Sequence, residues 1–134
     1  MTSGELLELP SVTDPRGSLT YAEVGKQIPF AIRRAFYLYD LPVGASRGGH
    51  AHKELHQLII AIAGSFKVVL DDTSTISGFH LDRPDRGLHV CPMVWADLSE
   101  FSPGAVCLVL ASDVYDERDY YRDYAAFLTA ARQS

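Results

Sequence analysis

Two histidines one residue apart, His50 and His52, stand in the stretch Gly44-Ala-Ser-Arg-Gly-Gly-His50-Ala-His52-Lys-Glu-Leu-His56-Gln57. On a strand, side chains alternate between faces, so both imidazoles converge on one spot. Such a pair can ligate a metal or move protons, because an unperturbed imidazole titrates near physiological pH. It can equally be a structural pair in a core. Arg16, in the turn Asp14-Pro-Arg-Gly, carries a planar guanidinium that can pair an anion bidentately, although its turn position alone reads as a surface turn cap. Arg34, Arg47 and Arg122 are further candidates for an anionic ligand, although strand and helix arginines commonly form solvated ion pairs worth little. Trp95 offers a face for a nucleotide base, or simply core volume. Cys91 and Cys107 lack C-x-x-C spacing and sit in apolar runs, which reads as two free thiols in a reducing compartment with no chemical role.

The elements that must hold these residues are short. Turn signals at residues 14–17, 42–49, 64, 71–72, 77–78, 83–87 and 102–104 separate runs rich in Val, Ile, Leu, Tyr and Phe, the pattern of a sandwich or barrel. Strands are expected over about 5–113. Past them the period changes: Tyr120, Tyr124, Phe127, Leu128 and Ala131 recur at three and four, with Asp116, Glu117 and Asp119 where a helix N-terminus favours negative charge, which predicts a C-terminal helix over about 116–132. The 134 residues are one domain's worth. Twelve basic against seventeen acidic residues leave a net charge of −5, so nucleic acid is not an expected partner and an anion needs a local arginine cluster. No run of 18 apolar residues and no leader pattern appears, so no membrane association is expected and the location is read as cytoplasmic.

Gly44, His50, His52, Gln57 and Gly64 reproduce the spacing of the first cupin motif, with Gln57 where a glutamate normally stands. A second, degraded motif runs from Gly87 through Pro92 to Trp95–Asp97, with Asp97 in place of the usual third histidine. The chain therefore resembles an all-β cupin jelly roll, a single domain over 1–134 with a C-terminal α-helix. Two of the four usual metal positions have changed to poorer ligands, so no metal is assigned. Asp14-Pro-Arg-Gly-Ser-Leu-Thr20, Ile32-Arg-Arg34 leading to Tyr37-Leu-Tyr39-Asp40, Arg47-Gly-Gly-His-Ala-His-Lys53 and Tyr115-Asp-Glu117 with Asp119-Tyr-Tyr-Arg-Asp-Tyr124 are more specific. They resemble the dTDP-4-keto-6-deoxyglucose 3,4-ketoisomerases over nearly the whole length. Departures fall at Phe36 and His89, where tyrosine is frequent, and at Ala96, where some relatives have histidine.

The resemblance implies that the 4-ketone of a dTDP-linked 6-deoxyhexose moves to C3 through an enediol. No redox cofactor is needed, since the two carbons exchange oxidation levels. His52 is cast as the base, His50 as its partner, Tyr37 as a hydrogen-bond donor to the developing oxyanion, and Arg16 as the pyrophosphate ligand. It also implies a homodimer with N-terminal strands exchanged between subunits, and exposed sheet edges need such cover. Other readings of the same residues are a sugar-nucleotide epimerase, a metal-dependent cupin, and a cupin that only binds a nucleotide sugar. His56 is read as a supporting neighbour of the pair, and His80 and His89 as ordinary strand residues.

Overall fold

The computed structural model describes residues 4–133. Among these residues twelve strands form: β1 Gly4–Glu8, β2 Ser11–Asp14, β3 Gly17–Thr20, β4 Arg34–Leu38, β5 Arg47–His52, β6 Gln57–Ala63, β7 Phe66–Asp71, β8 Ile76–Leu81, β9 Arg86–Val90, β10 Trp95–Ser99, β11 Val106–Ala111 and β12 Tyr120–Tyr121. A single 3-10 turn, Glu117–Asp119, precedes β12, and one helix, α1 Tyr124–Gln133, follows it. Two five-stranded sheets result, in the orders β1-β9-β6-β11-β4 and β12-β5-β10-β7-β8, with β2 and β3 paired separately. Every pairing between named strands is antiparallel. This is the jelly roll that the cupin motif points to, within the sandwich-or-barrel class that the turn spacing indicates.

Alternation decides what each sheet buries. From β6, Ile59 and Ala61 face inward, as do Val68 and Leu70 of β7, Leu88 and Val90 of β9, and Cys107 and Val109 of β11; together they form the main core. A second cluster, Leu9, Ile28, Leu58 and Ile60, covers part of the first sheet's outer face, where the segment after β3 lies back across it. The second sheet's outer face is covered instead by α1, whose Phe127 is fully buried. Asp123 starts that helix by accepting from the Ala126 amide at 3.2 Å.

The helix begins later than its period predicts. Asp116 accepts from the Arg118 amide and holds residues 117–119 in a 3-10 turn, after which Tyr120 and Tyr121 pair with His52 and Ala51 as an added strand on β5. Residues 116–121 make non-local bonds to the loop after β5, and these outweigh the local helical preference.

Candidate active site

The histidine pair is positioned by the two glycines before it. Gly48 and Gly49 have φ of 91° and 64°, in the left-handed region that side chains disfavour. A Cβ on Gly48 would lie 2.8 Å from the Ala96 carbonyl oxygen, where the β5–β10 register slips by one residue between Ala96 and Asp97. This bulge sends His50 into the barrel and His52 after it on the same face. Their rings meet edge to face with centroids 5.0 Å apart. His50 opens onto an interior cavity of about 80 Å³ lined by Phe36, Leu38, Arg47, Gln57 and Val109, among others.

His52 is 5% exposed, and with Gln57 it is one of two buried polar or charged residues among the described ones. Its Nδ1 lies 3.2 Å from Asp119 Oδ2, so the carboxylate holds the proton on Nδ1 and leaves Nε2 as the basic nitrogen. Asp119 is itself fixed: its Oδ1 accepts from the Glu54 amide at 2.9 Å and its carbonyl from the Lys53 amide at 2.8 Å. His52 Nε2 is buried and has no hydrogen-bond partner among the described residues. Burial pushes the His52 imidazole down to about 4, cationic His50 would push the same way, and Asp119 pulls against both. Burial lowers His50 as well. Both rings are therefore neutral at pH 7, the state a general base requires.

The tail after the barrel completes the wall. The Tyr120 ring packs 4.2 Å from His52 and 5.1 Å from His50, centroid to centroid. Arg122 covers Tyr120 at 4.2 Å and pairs with Glu117 at 2.5 and 2.9 Å, and the Tyr115 hydroxyl donates to the same carboxylate. Arg34 reaches in from β4, its guanidinium over the rings of Phe36 and Tyr115 at 5.1 and 5.5 Å. Its Nε is the other buried side-chain polar atom with no partner among the described residues. Asp119, Tyr120, Tyr115 and Glu117 are site residues that the helical reading of the tail missed. The signal that marks them is the Tyr115–Tyr124 motif itself, whose density of acids and tyrosines exceeds what a helix start needs.

Not every candidate joins this group. Tyr37 alternates with Phe36 and so lies on the outer face of β4, 63% exposed beside Tyr39, away from the histidines. Trp95 also points outward from β10: its indole donates to Asp97 at 3.2 Å and packs on Tyr124 and Phe127 of α1 at 5.3 and 5.8 Å. It anchors the helix and presents no free face inside the barrel. Arg47 lines the cavity mouth and Arg122 is held by Glu117. Arg16 sits at the tip of the β2–β3 hairpin with its side chain 90% exposed, paired only with Asp14 at 2.7 Å.

The residues do not fit the metal that cupins commonly hold in this barrel. Asp97 lies on the outer face, engaged by Trp95; Gln57 offers a weak neutral oxygen; His52 Nδ1 is engaged by Asp119. Among the described residues no three His, Cys, Asp or Glu ligand atoms converge inside the barrel. No helix of the described residues is long and apolar enough to cross a membrane.

A family model described as FdtA: WxcM-like, C-terminal, matches residues 2–132. The curated protein TDP-4-oxo-6-deoxy-alpha-D-glucose-3,4-oxoisomerase of Aneurinibacillus thermoaerophilus is 44% identical over 123 residues, spanning 92% of this chain and 88% of its own length. The crystal structure of a 3,4-ketoisomerase from Helicobacter canadensis superposes with a TM-score of 0.95 at 42% identity, covering 98% of this chain and 99% of that one. A histidine-to-asparagine variant of the 3,4-ketoisomerase QdtA from Thermoanaerobacterium thermosaccharolyticum, solved in complex with TDP-4-keto-6-deoxyglucose, gives 0.96 at 35% identity and covers 99% and 96%.

Proposed function

The chain belongs to the FdtA (WxcM-like, C-terminal) family, and on that premise we propose that it is a 3,4-ketoisomerase of a TDP-linked 4-keto-6-deoxyhexose in which His52 moves the carbon-bound proton. The observation that carries the reading is the buried, unpartnered Nε2 of a His52 ring whose other nitrogen is held by Asp119. His52 Nε2 takes the proton from C3, and the C–H electron pair forms a C3–C4 double bond as the C4 oxygen becomes an enolate. That oxygen accepts a proton to give the enediol. The O3 proton then leaves, C3 becomes the ketone, and His52 returns its proton to C4. Net, one proton moves from C3 to C4 and one from O3 to O4. The oxygen-borne proton is assigned to His50, whose ring is edge-on to His52 and lines the cavity. Asp119 stabilises the imidazolium between the two transfers.

Arg34 replaces Tyr37 as the group assigned to the developing enolate oxygen. Its unpartnered N–H is buried beside the pair, where a fixed donor acts most strongly. The substrate pyrophosphate falls to Arg16, which within one chain has no company but Asp14. We assign it to the site of a second copy. The hairpin exposes Val12 and Leu19 (59% and 60%), while the first sheet's outer face leaves Tyr37, Tyr39 and Ile62 uncovered. A homodimer buries both surfaces.

The deciding experiment is incubation with dTDP-4-keto-6-deoxyglucose in heavy water, followed by proton NMR. A 3-keto product carrying solvent deuterium is expected, because the base exchanges its proton between transfers. No product and no exchange at saturating substrate overturns the assignment. A 4-keto product inverted only at C3 or C5 would make the chain an epimerase.

A further inference from the structure

We propose that His56, His89 and Cys91 form a binding site for a zinc-class transition-metal ion, on the outer side of the first sheet and separate from the histidine pair in the barrel. One ring nitrogen each of His56 and His89 and the Cys91 Sγ all lie within 4.8 Å of one another, the one group of three His, Cys, Asp or Glu ligand atoms that converges among the described residues. The site joins two strands. His89 and Cys91 come from β9 and its end, His56 from the residue before β6, and β6 and β9 are hydrogen-bonded neighbours with Gln57 opposite Val90.

The geometry is close to what a tetrahedral ion needs. The two imidazole nitrogens face each other at 3.0 Å. Two nitrogens on one zinc at about 2.0–2.1 Å stand roughly 3.3 Å apart, so the rings need to part by only a few tenths of an ångström. Without an ion, the same contact is one imidazole N–H donating to the other ring's lone pair. Phe30 lies against both rings, 5.7 Å from His56 and 5.6 Å from His89, and gives them an apolar wall. Glu5 stands opposite His89 in the β1–β9 register and supplies negative charge beside the site. All three ligand residues are only partly buried, so solvent reaches the cluster.

Two imidazoles and a thiolate are a borderline-to-soft set, suited to zinc or cobalt and poor for magnesium or calcium. On binding, Cys91 releases its thiol proton to solvent while each ring coordinates through its unprotonated nitrogen. The ion would stiffen a region near the barrel site without entering it. The His52 carbonyl accepts from the Met93 amide at 2.7 Å, two residues past Cys91, and the His56 carbonyl accepts from the Ser112 amide at 3.0 Å.

The test is titration of the chelator-treated full chain with Co²⁺, followed by absorption spectroscopy. One ion per chain is expected, with a thiolate-to-cobalt charge-transfer band and tetrahedral visible bands, both removed by one equivalent of Zn²⁺. Cys91→Ser should lose the charge-transfer band, His89→Gln should weaken binding at least tenfold, and His52→Asn should keep the full spectrum. Zinc should raise the melting temperature of the wild type and not of Cys91→Ser, a comparison that holds even if one variant is less stable. No band in the folded wild type overturns the site. So does a band that survives Cys91→Ser, which would assign Cys107, or one that disappears with His52→Asn, which would place the ion in the barrel.

Discussion

One carboxylate, that of Asp119, fixes how the His52 ring stands in this barrel. With Asp119 holding Nδ1, His52 keeps a buried, unpartnered Nε2, the nitrogen to which the proposed reaction gives the base's role. Replacing His52 with Asn should lower kcat by about 10² to 10⁴, the usual share of general acid–base catalysis, while leaving substrate affinity close to wild type. Steady-state kinetics with the TDP-keto sugar checks this, and near-normal turnover would pass the role to His50. Asp119→Asn tests orientation. Because Asp119 raises the His52 pKa against burial, its loss should move the acid limb of the kcat/KM profile to lower pH as well as slow turnover. An unmoved limb would mean that Asp119 only braces the loop after β5. Arg34→Gln should cost about 10² to 10³ in kcat with little change in KM, the signature of a donor used mainly in the transition state. A pure KM effect would make Arg34 a binding residue.

At the scale of elements, the tail after the barrel does two jobs. Residues 115–121 close the site with Tyr115, Glu117, Asp119 and Tyr120, and α1 caps the sheet beneath them. Phe127 is fully buried against Trp95 and Tyr121 with centroids at 5.8 and 6.1 Å. Phe127→Ala should therefore destabilise the fold by about 3 to 5 kcal/mol, measurable by urea denaturation, since it leaves a ring-sized void. A loss below about 1 kcal/mol would show that the helix is loosely attached. The β2–β3 hairpin is the other independent element. If Arg16 serves a second copy's site, Arg16→Ala and His52→Asn, each crippled alone, should regain activity when unfolded together and refolded as mixed dimers. Failure to complement, with mixed dimers present, would place Arg16 in its own chain's site or outside any site.

For the molecule as a whole, the lowered histidines set the acid response. His50, His52 and His89 are held below the ordinary imidazole value, chiefly by burial. Between about pH 6.5 and the folded-state values, the unfolded chain binds protons that the native chain does not, so stability rises with pH across that window and is lost as pH falls through it. The melting temperature should accordingly drop from pH 7 to pH 5. A flat profile would mean that these rings are hydrated in solution. The proposed dimer predicts twice the chain mass by light scattering at micromolar concentration, and a monomer would refute it.

Much of this was legible in the sequence because it rests on local rules. Turn residues at short intervals mark a sandwich or barrel, the cupin-like spacing of Gly44, His50, His52 and Gly64 narrows this to a jelly roll, and period-two alternation puts His50 and His52 on one face. Alternation could also have warned against Tyr37, since Phe36 and Tyr37 cannot both face the barrel. Which of the two turns inward depends on the register between β4 and β11, where Phe36 lies opposite Val109, and that register is a tertiary fact. The tail was misread for a related reason. Its period fits a helix, but Asp119 and Tyr120 gain more from bonding Lys53, Glu54 and His52, partners about 65 residues away that no local pattern can supply. Trp95 went to α1 and His56 met His89 by the same route. Residue type and spacing set the chemistry available to this chain; only the packing of distant strands decided which side chains share a site, because those contacts are long-range and the free energy that orders them is collective.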